Sequence, residues 1–134
     1  MPDSGYLVFS SAGRTVALPA ESVRTIQGWT SPKALPRCAP WVEGILVGQG
    51  EAVPVLRDGH LWGVRSGTAE IIVVVLREGR NLALLGKDPQ MASSGPLSPM
   101  EKDLDGPWSG MLWDSSGEVP CLDLGKLYMT LGLH

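Results

Sequence analysis

Histidine and cysteine, which most often supply catalytic bases, nucleophiles and metal ligands, are scarce in this sequence. The 134 residues include two histidines, His60 and His134, and two cysteines, Cys38 and Cys121. A Ser or Cys nucleophile needs a positioned base. His60 follows Asp58-Gly59 in a predicted turn, where a histidine is ordinarily exposed. No active site can be assembled, so the sequence predicts a protein that is not an enzyme and holds no cofactor.

The sequence also has few residues that could form a metal site or disulfide bonds. A structural zinc site needs a set of spaced ligands, and a disulfide-stabilised domain needs many cysteines. Cys38 and Cys121 lie far apart in the chain and show no CxxC spacing. We expect two reduced thiols and no metal site, with a redox pair as the alternative.

A basic excess and a long apolar run are also missing. The 11 Lys and Arg residues against 14 Asp and Glu give a net charge of −3, which does not favour nucleic acid or an anionic membrane. The longest apolar run, residues 71–76, is far below the ~20 residues that span a bilayer. Residues 1–5 carry no basic side chain, unlike a secretory signal. We therefore expect a cytoplasmic location without direct membrane insertion.

Glycine-centred turns between apolar, β-rich segments are what the sequence does contain. The predicted hairpins pair residues 6–10 with 14–18, 45–47 with 52–56, 71–76 with 81–85, and 110–113 with 118–122. The unbroken apolar run at 71–76 favours a strand buried on both faces. Pro54 and Pro120 fall inside predicted strands, and we expect both to mark sheet margins because proline cannot donate to a ladder.

This series of hairpins predicts an all-β fold in one domain, with the sheets closed into small barrels that cover their edges. Residues 30–40 and 87–107 are rich in proline and are predicted to be long surface connections. Near the C-terminus, Asp123 is placed to cap a short helix. The apolar face of that helix would be formed by Leu124, Leu127, Tyr128 and Leu131.

Tryptophan is the commonest aromatic residue, with five copies against two tyrosines and one phenylalanine. We expect Trp113 in the core, and Trp41 and Trp62 partly exposed in a groove. Tryptophan is enriched at protein-binding hot spots. A stand-alone β-barrel that binds an oligonucleotide or a small ligand is therefore an alternative function.

Residues 41–57, which read WVEGILVGQGEAVPVLR, resemble the central signature of the CheW-like family of bacterial chemotaxis coupling proteins. In that signature a Val-x-Gly-Ile strand runs through an Asn-Leu-Arg-Gly turn into a Pro-Val strand. Similar segments also flank it, at residues 6–18, 23–26, 34–36, 71–85, 96–99 and 108–128. The resemblance covers nearly the whole chain, as a single domain 1–134 with approximate halves 1–68 and 69–134.

The resemblance implies two five-stranded β-barrels packed around a shared seam, with a short C-terminal helix. The first strand either pairs within its own half or is exchanged into the other half. It implies a non-catalytic adaptor with two partners: the cytoplasmic tip of a chemoreceptor, and the regulatory domain of a CheA-type histidine kinase or its alternative-pathway equivalent. The implied partner-binding residues are Val23, Trp41, Val42, Gly44, Gln49, Gly50, Arg57 and Trp62. These residues would form the rim of a docking surface, where small side chains would let a partner helix approach closely. Alternatively, the glycines are explained by turn geometry alone.

Several positions depart from the family pattern, and one of them is Val47 or Gly48, depending on register, where the family turn carries asparagine. Gln49 stands where the family turn carries arginine, Arg57 where an acidic residue follows the Pro-Val pair, and Gly86 where an acidic residue closes the later hairpin. Glutamine cannot reproduce the multidentate hydrogen bonding of arginine. We therefore expect either an altered choice of partner or compensating contacts elsewhere.

Overall fold

The structure, a computed structural model, describes residues 5–34, 39–48, 50–57, 69–92, 107–114 and 117–133. Within these residues the chain forms nine strands, one turn of 3-10 helix and one α-helix. They are β1 (Tyr6–Ser11), β2 (Arg14–Pro19), the 3-10 turn (Ala20–Ser22), β3 (Val23–Gly28), β4 (Val42–Gly48), β5 (Glu51–Leu56), β6 (Ile71–Arg77), β7 (Arg80–Ala92), β8 (Trp108–Asp114), β9 (Gly117–Leu122) and α1 (Leu124–Thr130). The all-β class, the four predicted hairpins and the short C-terminal helix are confirmed.

Two of the hairpins close through two-residue turns with positive φ at both positions. The φ values are 52° and 83° at Ala12 and Gly13, and 48° and 79° at Glu78 and Gly79. Such turns match the right-handed twist of the flanking strands, and glycine adopts the conformation without strain. Local turn chemistry therefore sets the register of β1–β2 and of β6–β7.

Two five-stranded sheets share the long strand β7. Sheet A runs from the end of β7 through β1, β2 and β9 to β8, and sheet B from β3 through β6, the start of β7 and β5 to β4. In each sheet two hairpins are joined by one parallel bridge, Ala17–Cys121 in sheet A and Val55–Ala83 in sheet B. The two sheets therefore follow one plan, although sheet A takes its strands from both ends of the chain. The division into sequential halves stays a prediction.

Sheet B is barrel-like but not closed, and the chain returns to its free edge at one bridge. After β3, Lys33 pairs with Ile45 of β4, and the two residues exchange backbone N–H···O bonds of 2.8 Å. This bridge brings the continuation of β3 onto the outer side of β4. Part of the predicted connection 30–40 thus forms a bridge at the edge of sheet B, while residues 35–38 lie outside the described residues.

The predicted surface connection 87–107 is wrong over its first six residues, because β7 continues to Ala92. The strand passes from sheet B to sheet A at Gly86, which pairs with Ile71, while Lys87 pairs with Ser10. A bulge follows, since Lys87 pairs with Ser10 and Gln90 pairs with Val8. A bulge tolerates a proline within a strand. The prediction was wrong here because polar residues next to a proline are locally typical of a loop. Residues 93–106 lie outside the described residues.

The apolar side chains form three clusters. The seam cluster lies between the sheets and consists of Leu7, Phe9, Val16, Leu18, Leu56, Val73, Val75, Leu82, Leu84, Trp108, Leu122, Leu124, Leu127 and Tyr128. Sheet B encloses a second cluster around Ile72 and Val74, and sheet A a third around Val8 and Ala17. Successive residues of β1, β2, β6 and β7 therefore alternate between the seam and the core of their own sheet. This confirms burial on both faces for residues 72–75 of the apolar run, whereas Leu76 is 43% exposed.

The predicted core position of Trp113 is wrong, because its side chain is 61% exposed. Side chains alternate along β8, and Leu112 points into the core of sheet A. Its neighbour Trp113 must therefore point outward. The buried tryptophan of this strand is Trp108, which is 4% exposed and belongs to the seam cluster.

The two strand prolines do not mark sheet margins, because β5 and β9 each have a neighbour on both sides. On the second side the pairing consists of one bridge only, at Val55 in β5 and at Cys121 in β9. Pro54 and Pro120 each come one residue before that bridge. So short a ladder does not require an N–H group from either proline, which is why both are tolerated inside the sheets.

The C-terminal helix is held at its start and on its buried face. The Asp123 carboxylate accepts a 3.1 Å hydrogen bond from the Lys126 backbone N–H, which makes it the N-cap. Leu124, Leu127 and Tyr128 are buried in the seam cluster, and Leu131 packs against it. The predicted cap and apolar face are confirmed.

Tyr128 makes stability depend on pH in the alkaline range. Its hydroxyl donates a 2.8 Å hydrogen bond to the Arg80 carbonyl, and burial raises its pKa to about 12 against a partial lowering by Arg77. An unfolded tyrosine ionises near 10, so the stabilisation is complete below that pH and is lost as the pH rises towards 12. We expect the unfolding free energy, measured in denaturant titrations, to fall more steeply in this window than in Tyr128→Phe. Equal slopes would contradict this assignment.

Candidate functional site

A groove opens between β3 and the β4–β5 hairpin in sheet B. It has a volume of about 230 Å³ and is lined by Arg24, Thr25, Gln27, Leu46, Val47, Gly48, Glu51, Val53 and Val74. In the described part of the chain, β3 and β4 do not pair directly, and only the bridge from Lys33 to Ile45 joins the two edges. The groove, called the β3–β4 groove below, is therefore the open side of sheet B.

The floor of the β3–β4 groove is apolar, and its walls are polar. Val53 and Val74 belong to the sheet B core, and Leu46 packs against that cluster. The wall from β3 carries exposed polar residues, among them Thr25 and Gln27. An apolar base within a polar rim is the common anatomy of a protein-binding surface.

Arg24 crosses the rim and ties three strands together. Its guanidinium lies 2.9 Å from the Glu51 carboxylate of β5 and donates a 3.1 Å hydrogen bond to the Asn81 side-chain oxygen of β7. The side chains of Arg24 and Glu51 are 41% and 47% exposed, so this pair contributes only about 0–1 kcal/mol to stability. It links β3 and β5 across the rim of the groove.

Val47 is an exposed apolar side chain in the groove, with 58% of its surface exposed. Ile26 is also exposed, but it lies between Thr25 and Gln27 of β3, which line the groove, so its side chain points to the opposite face of the strand. An exposed apolar side chain in a concave surface is typical of interaction sites. Arg24, Val47 and Glu51 were not recognised in the sequence, because β3 carries no distinct local signal and its approach to β4 is non-local.

Three of the predicted partner-binding residues face inward. Val42 is buried, with 8% of its surface exposed. Val23 and Trp41 are partly buried and pack against the seam cluster. The partial exposure predicted for Trp41 agrees with this position, but much of the ring serves the packing between the sheets.

Gly44 and Gly50, the two glycines among the predicted partner-binding residues, have roles within the fold. A Cβ on Gly44 would lie 2.6 Å from the Lys33 carbonyl oxygen, so the close approach at this glycine is made by the protein's own chain. Gly50 is exposed, with a φ of 78° that glycine adopts without strain. Gln49 and Trp62 lie outside the described residues, as does His60.

Arg57 follows β5 and is partly buried. Its backbone N–H donates a 2.7 Å hydrogen bond to the Trp41 carbonyl. Its side-chain Nε is buried and has no acceptor among the residues that the structure describes. A buried guanidinium nitrogen is ordinarily hydrogen-bonded, so this atom is unusual.

Cys121 is a free thiol buried in sheet A, and Cys38 lies outside the described residues. Burial raises the pKa of the Cys121 thiol, the largest of several influences on it, so the unreactive thiol form prevails near neutral pH. No group of three or more His, Cys, Asp or Glu able to hold a metal ion occurs in the described ranges. Nor does any helix of those ranges have the length and apolarity needed to cross a membrane.

Comparisons with known proteins identify the fold. Residues 5–110 match the family model described as "CheW-like domain". The scaffolding protein TtCheW from Thermoanaerobacter tengcongensis has a similar crystal structure, with a TM-score of 0.76 over 91% of this chain and 90% of that chain, at 17% sequence identity. No curated protein matches the sequence. The chain therefore belongs to the family of CheW-like domains.

Proposed function

We propose that this protein is an adaptor in a bacterial chemosensory pathway, where it couples the cytoplasmic tips of chemoreceptors to a CheA-type histidine kinase or an alternative-pathway equivalent. The observation that carries the proposal is the CheW-like match over residues 5–110. The adaptor works in the cytoplasm. It acts by holding two partners in one assembly, a task that requires docking surfaces and no chemistry.

The β3–β4 groove supports the proposal by offering a surface of the required kind. A protein partner gains affinity by burying apolar groups at the centre of an interface, with polar groups around them. Leu46 and Val53 provide the apolar floor, and Arg24, Gln27 and Glu51 provide the polar surroundings. Gly50, in the adjoining turn, lies at one end of this surface.

The departures from the family pattern bear on partner choice to different degrees. A Cβ on Gly86 would lie 2.5 Å from Phe9 Cδ2 and 2.7 Å from the Ser10 carbonyl oxygen. The missing acidic residue at this position therefore has a packing reason and does not imply a different partner. Gln49 and Arg57 remain the positions at which an altered partner would be recognised.

Reconstitution from purified components tests the proposal. The protein is mixed with a receptor cytoplasmic tip and with a kinase regulatory domain from the same organism, and each Kd is measured by calorimetry. We expect both partners to bind wild-type protein. Absence of binding to either would contradict the adaptor function. A titration with single-stranded oligonucleotides, read by tryptophan fluorescence, would then test the alternative of a nucleic-acid-binding barrel.

Val47→Glu tests whether the β3–β4 groove is the docking surface. The charge would be placed on an exposed rim residue, so we expect unchanged stability but a Kd raised about tenfold or more for one partner, because a desolvated carboxylate opposes docking. Met129→Glu is the matched control, since Met129 is 70% exposed and lies on α1. Equal Kd values for wild type and Val47→Glu would assign docking to another surface.

A further inference from the structure

The two walls of the β3–β4 groove are the edges of two strands. In the described part of the chain, β3 pairs only with β6, and β4 pairs only with β5 and, at Ile45, with Lys33. An unpaired strand edge carries backbone N–H and C=O groups that can pair with a further strand. The direction in which each residue points its backbone groups therefore decides what the groove offers to an occupant.

On the β4 wall, Val47 points its backbone groups into the groove. Ile45 exchanges both of its backbone bonds with Lys33, so its groups point away from β5. Successive residues of an antiparallel strand alternate in this direction, and the register of β4 with β5 is regular from Gly44 to Gly48. The N–H and C=O of Val47 therefore also point away from β5, and no backbone group of the described residues pairs with them.

On the β3 wall, Ile26 and Gly28 have the same orientation. Trp29 donates its N–H to the Glu70 carbonyl over 3.0 Å, on the β6 side. By alternation Gln27 also faces β6. Ile26 and Gly28 face away from β6, and their backbone groups have no backbone partner within the described ranges. Both walls thus present unpaired donors and acceptors to the space between them.

These backbone groups lie on an accessible part of the surface. Val47 is 58% exposed and Ile26 is 43% exposed, and Gly28 and Gly48 are exposed as well. A Cβ built on either glycine would meet no atom within 4 Å. A partner chain can therefore reach both edges.

We propose that an extended segment of a partner protein binds in the β3–β4 groove as an added β-strand. A helix satisfies its backbone groups internally, whereas an extended chain has N–H and C=O groups free to pair with the walls. Alternate side chains of an added strand point to opposite faces, so every second one would lie on the apolar floor at Leu46, Val53 and Val74. The identity of the partner rests on the proposed adaptor function.

Charge does not select the occupant. The charged residues among the described lining of the groove are Arg24 and Glu51, which pair with each other at 2.9 Å. The lining therefore carries no net charge. The expected segment has apolar, β-branched residues at alternate positions, because these favour extended backbone and fit the floor.

Isotope-edited NMR of the reconstituted complexes tests the mode of binding. This protein is labelled in nitrogen and each partner in carbon, so scalar couplings across hydrogen bonds report only bonds between the two chains. We expect couplings from the amides of Ile26, Gly28 and Val47 to carbonyls of one partner segment, whose chemical shifts indicate extended backbone. Binding of both partners without these couplings would overturn the inference and leave the adaptor function intact.

Ile26→Pro and Ile26→Ala separate the backbone contribution from that of the side chain. The Ile26 N–H takes no part in the ladder with β6, so proline is tolerated there as on an edge strand. We expect Ile26→Pro to raise the Kd of one partner about tenfold or more, because a donor of the interface is lost. Ile26→Ala keeps the N–H and should change the Kd less than about twofold. Equal Kd values for the two variants would overturn the inference. Should Ile26→Pro fail to fold, the couplings in the wild-type complexes decide.

A model peptide decides the inference if neither partner binds and the adaptor function fails. The probe is a blocked peptide of alternating valine and threonine, compared with the same peptide N-methylated on its backbone amides. We expect saturable shifts of the Ile26, Gly28 and Val47 amide resonances with the first peptide and none with the second, since N-methylation removes the backbone donors. Equal responses to the two peptides, or no response to either, would overturn the inference.

Discussion

Phe9→Ala is expected to lower the free energy of unfolding by about 3–5 kcal/mol. Phe9 is the sole phenylalanine of the chain, is 1% exposed and belongs to the seam cluster. Its removal leaves a cavity between the two sheets, where side chains of both must move to fill it. The loss of transfer free energy and the cavity therefore add.

Denaturant unfolding monitored by circular dichroism measures this loss. Trp113→Ala is the matched control, because it removes a larger aromatic ring from a position that is 61% exposed. We expect the control to cost about 1 kcal/mol or less. Similar losses for the two variants would contradict the assignment of Phe9 to the seam and Trp113 to the surface.

Gly86→Ala is expected to destabilise the protein by about 1–3 kcal/mol, since it overpacks the crossing of β7 between the sheets. The new Cβ would lie 2.5 Å from Phe9 Cδ2 and 2.7 Å from the Ser10 carbonyl oxygen. The backbone of β1 cannot retreat without breaking its pairing with β7. The strain is therefore relieved only by a shift of the Phe9 ring and of the strand.

Gly28→Ala is the matched control for this prediction. Gly28 and Gly86 both pair with Ile71, from opposite sides of β6. A Cβ on Gly28 would meet no atom within 4 Å, so we expect a change within about 0.5 kcal/mol. If the two substitutions had equal effects, backbone entropy and not crowding would be the cause.

A double-mutant cycle connects the two predictions. With Phe9 truncated to alanine, the nearest side-chain atoms to the new Cβ of Gly86→Ala are removed, while the Ser10 carbonyl stays in place. We expect the double variant to lose less stability than the sum of the single variants, because the residues are in contact. Strict additivity would show that Gly86 and Phe9 do not share the strain.

Features that depend on neighbours in sequence could be predicted from the sequence. The turns at Gly13 and Gly79 follow from the positive φ that glycine tolerates. The cap at Asp123 follows from an acceptor placed before an apolar helical pattern. The apolar run of β6 alone indicates burial on two faces, although not which two clusters those faces meet.

Features that depend on distant contacts could not be predicted. Residues 87–92 read as a loop because their strand pairing depends on β1 and on the bend at Gly86. Trp113 is as apolar as a core residue, and only the register of β8 places it outside. Likewise the β3–β4 groove exists because β3 and β4 are brought together by one bridge at Lys33.

The sequence by itself determined an all-β chain of four hairpins with a capped helix and without the residues for an active site. It did so because alternation, turn conformation and capping are local properties. Only the tertiary structure decided that β7 is shared between two sheets, that the protein's own chain packs closely against Gly44, and that the Nε of Arg57 is buried without an acceptor among the described residues. These features depend on which side chains and backbone groups lie opposite one another in space, and no local pattern encodes that.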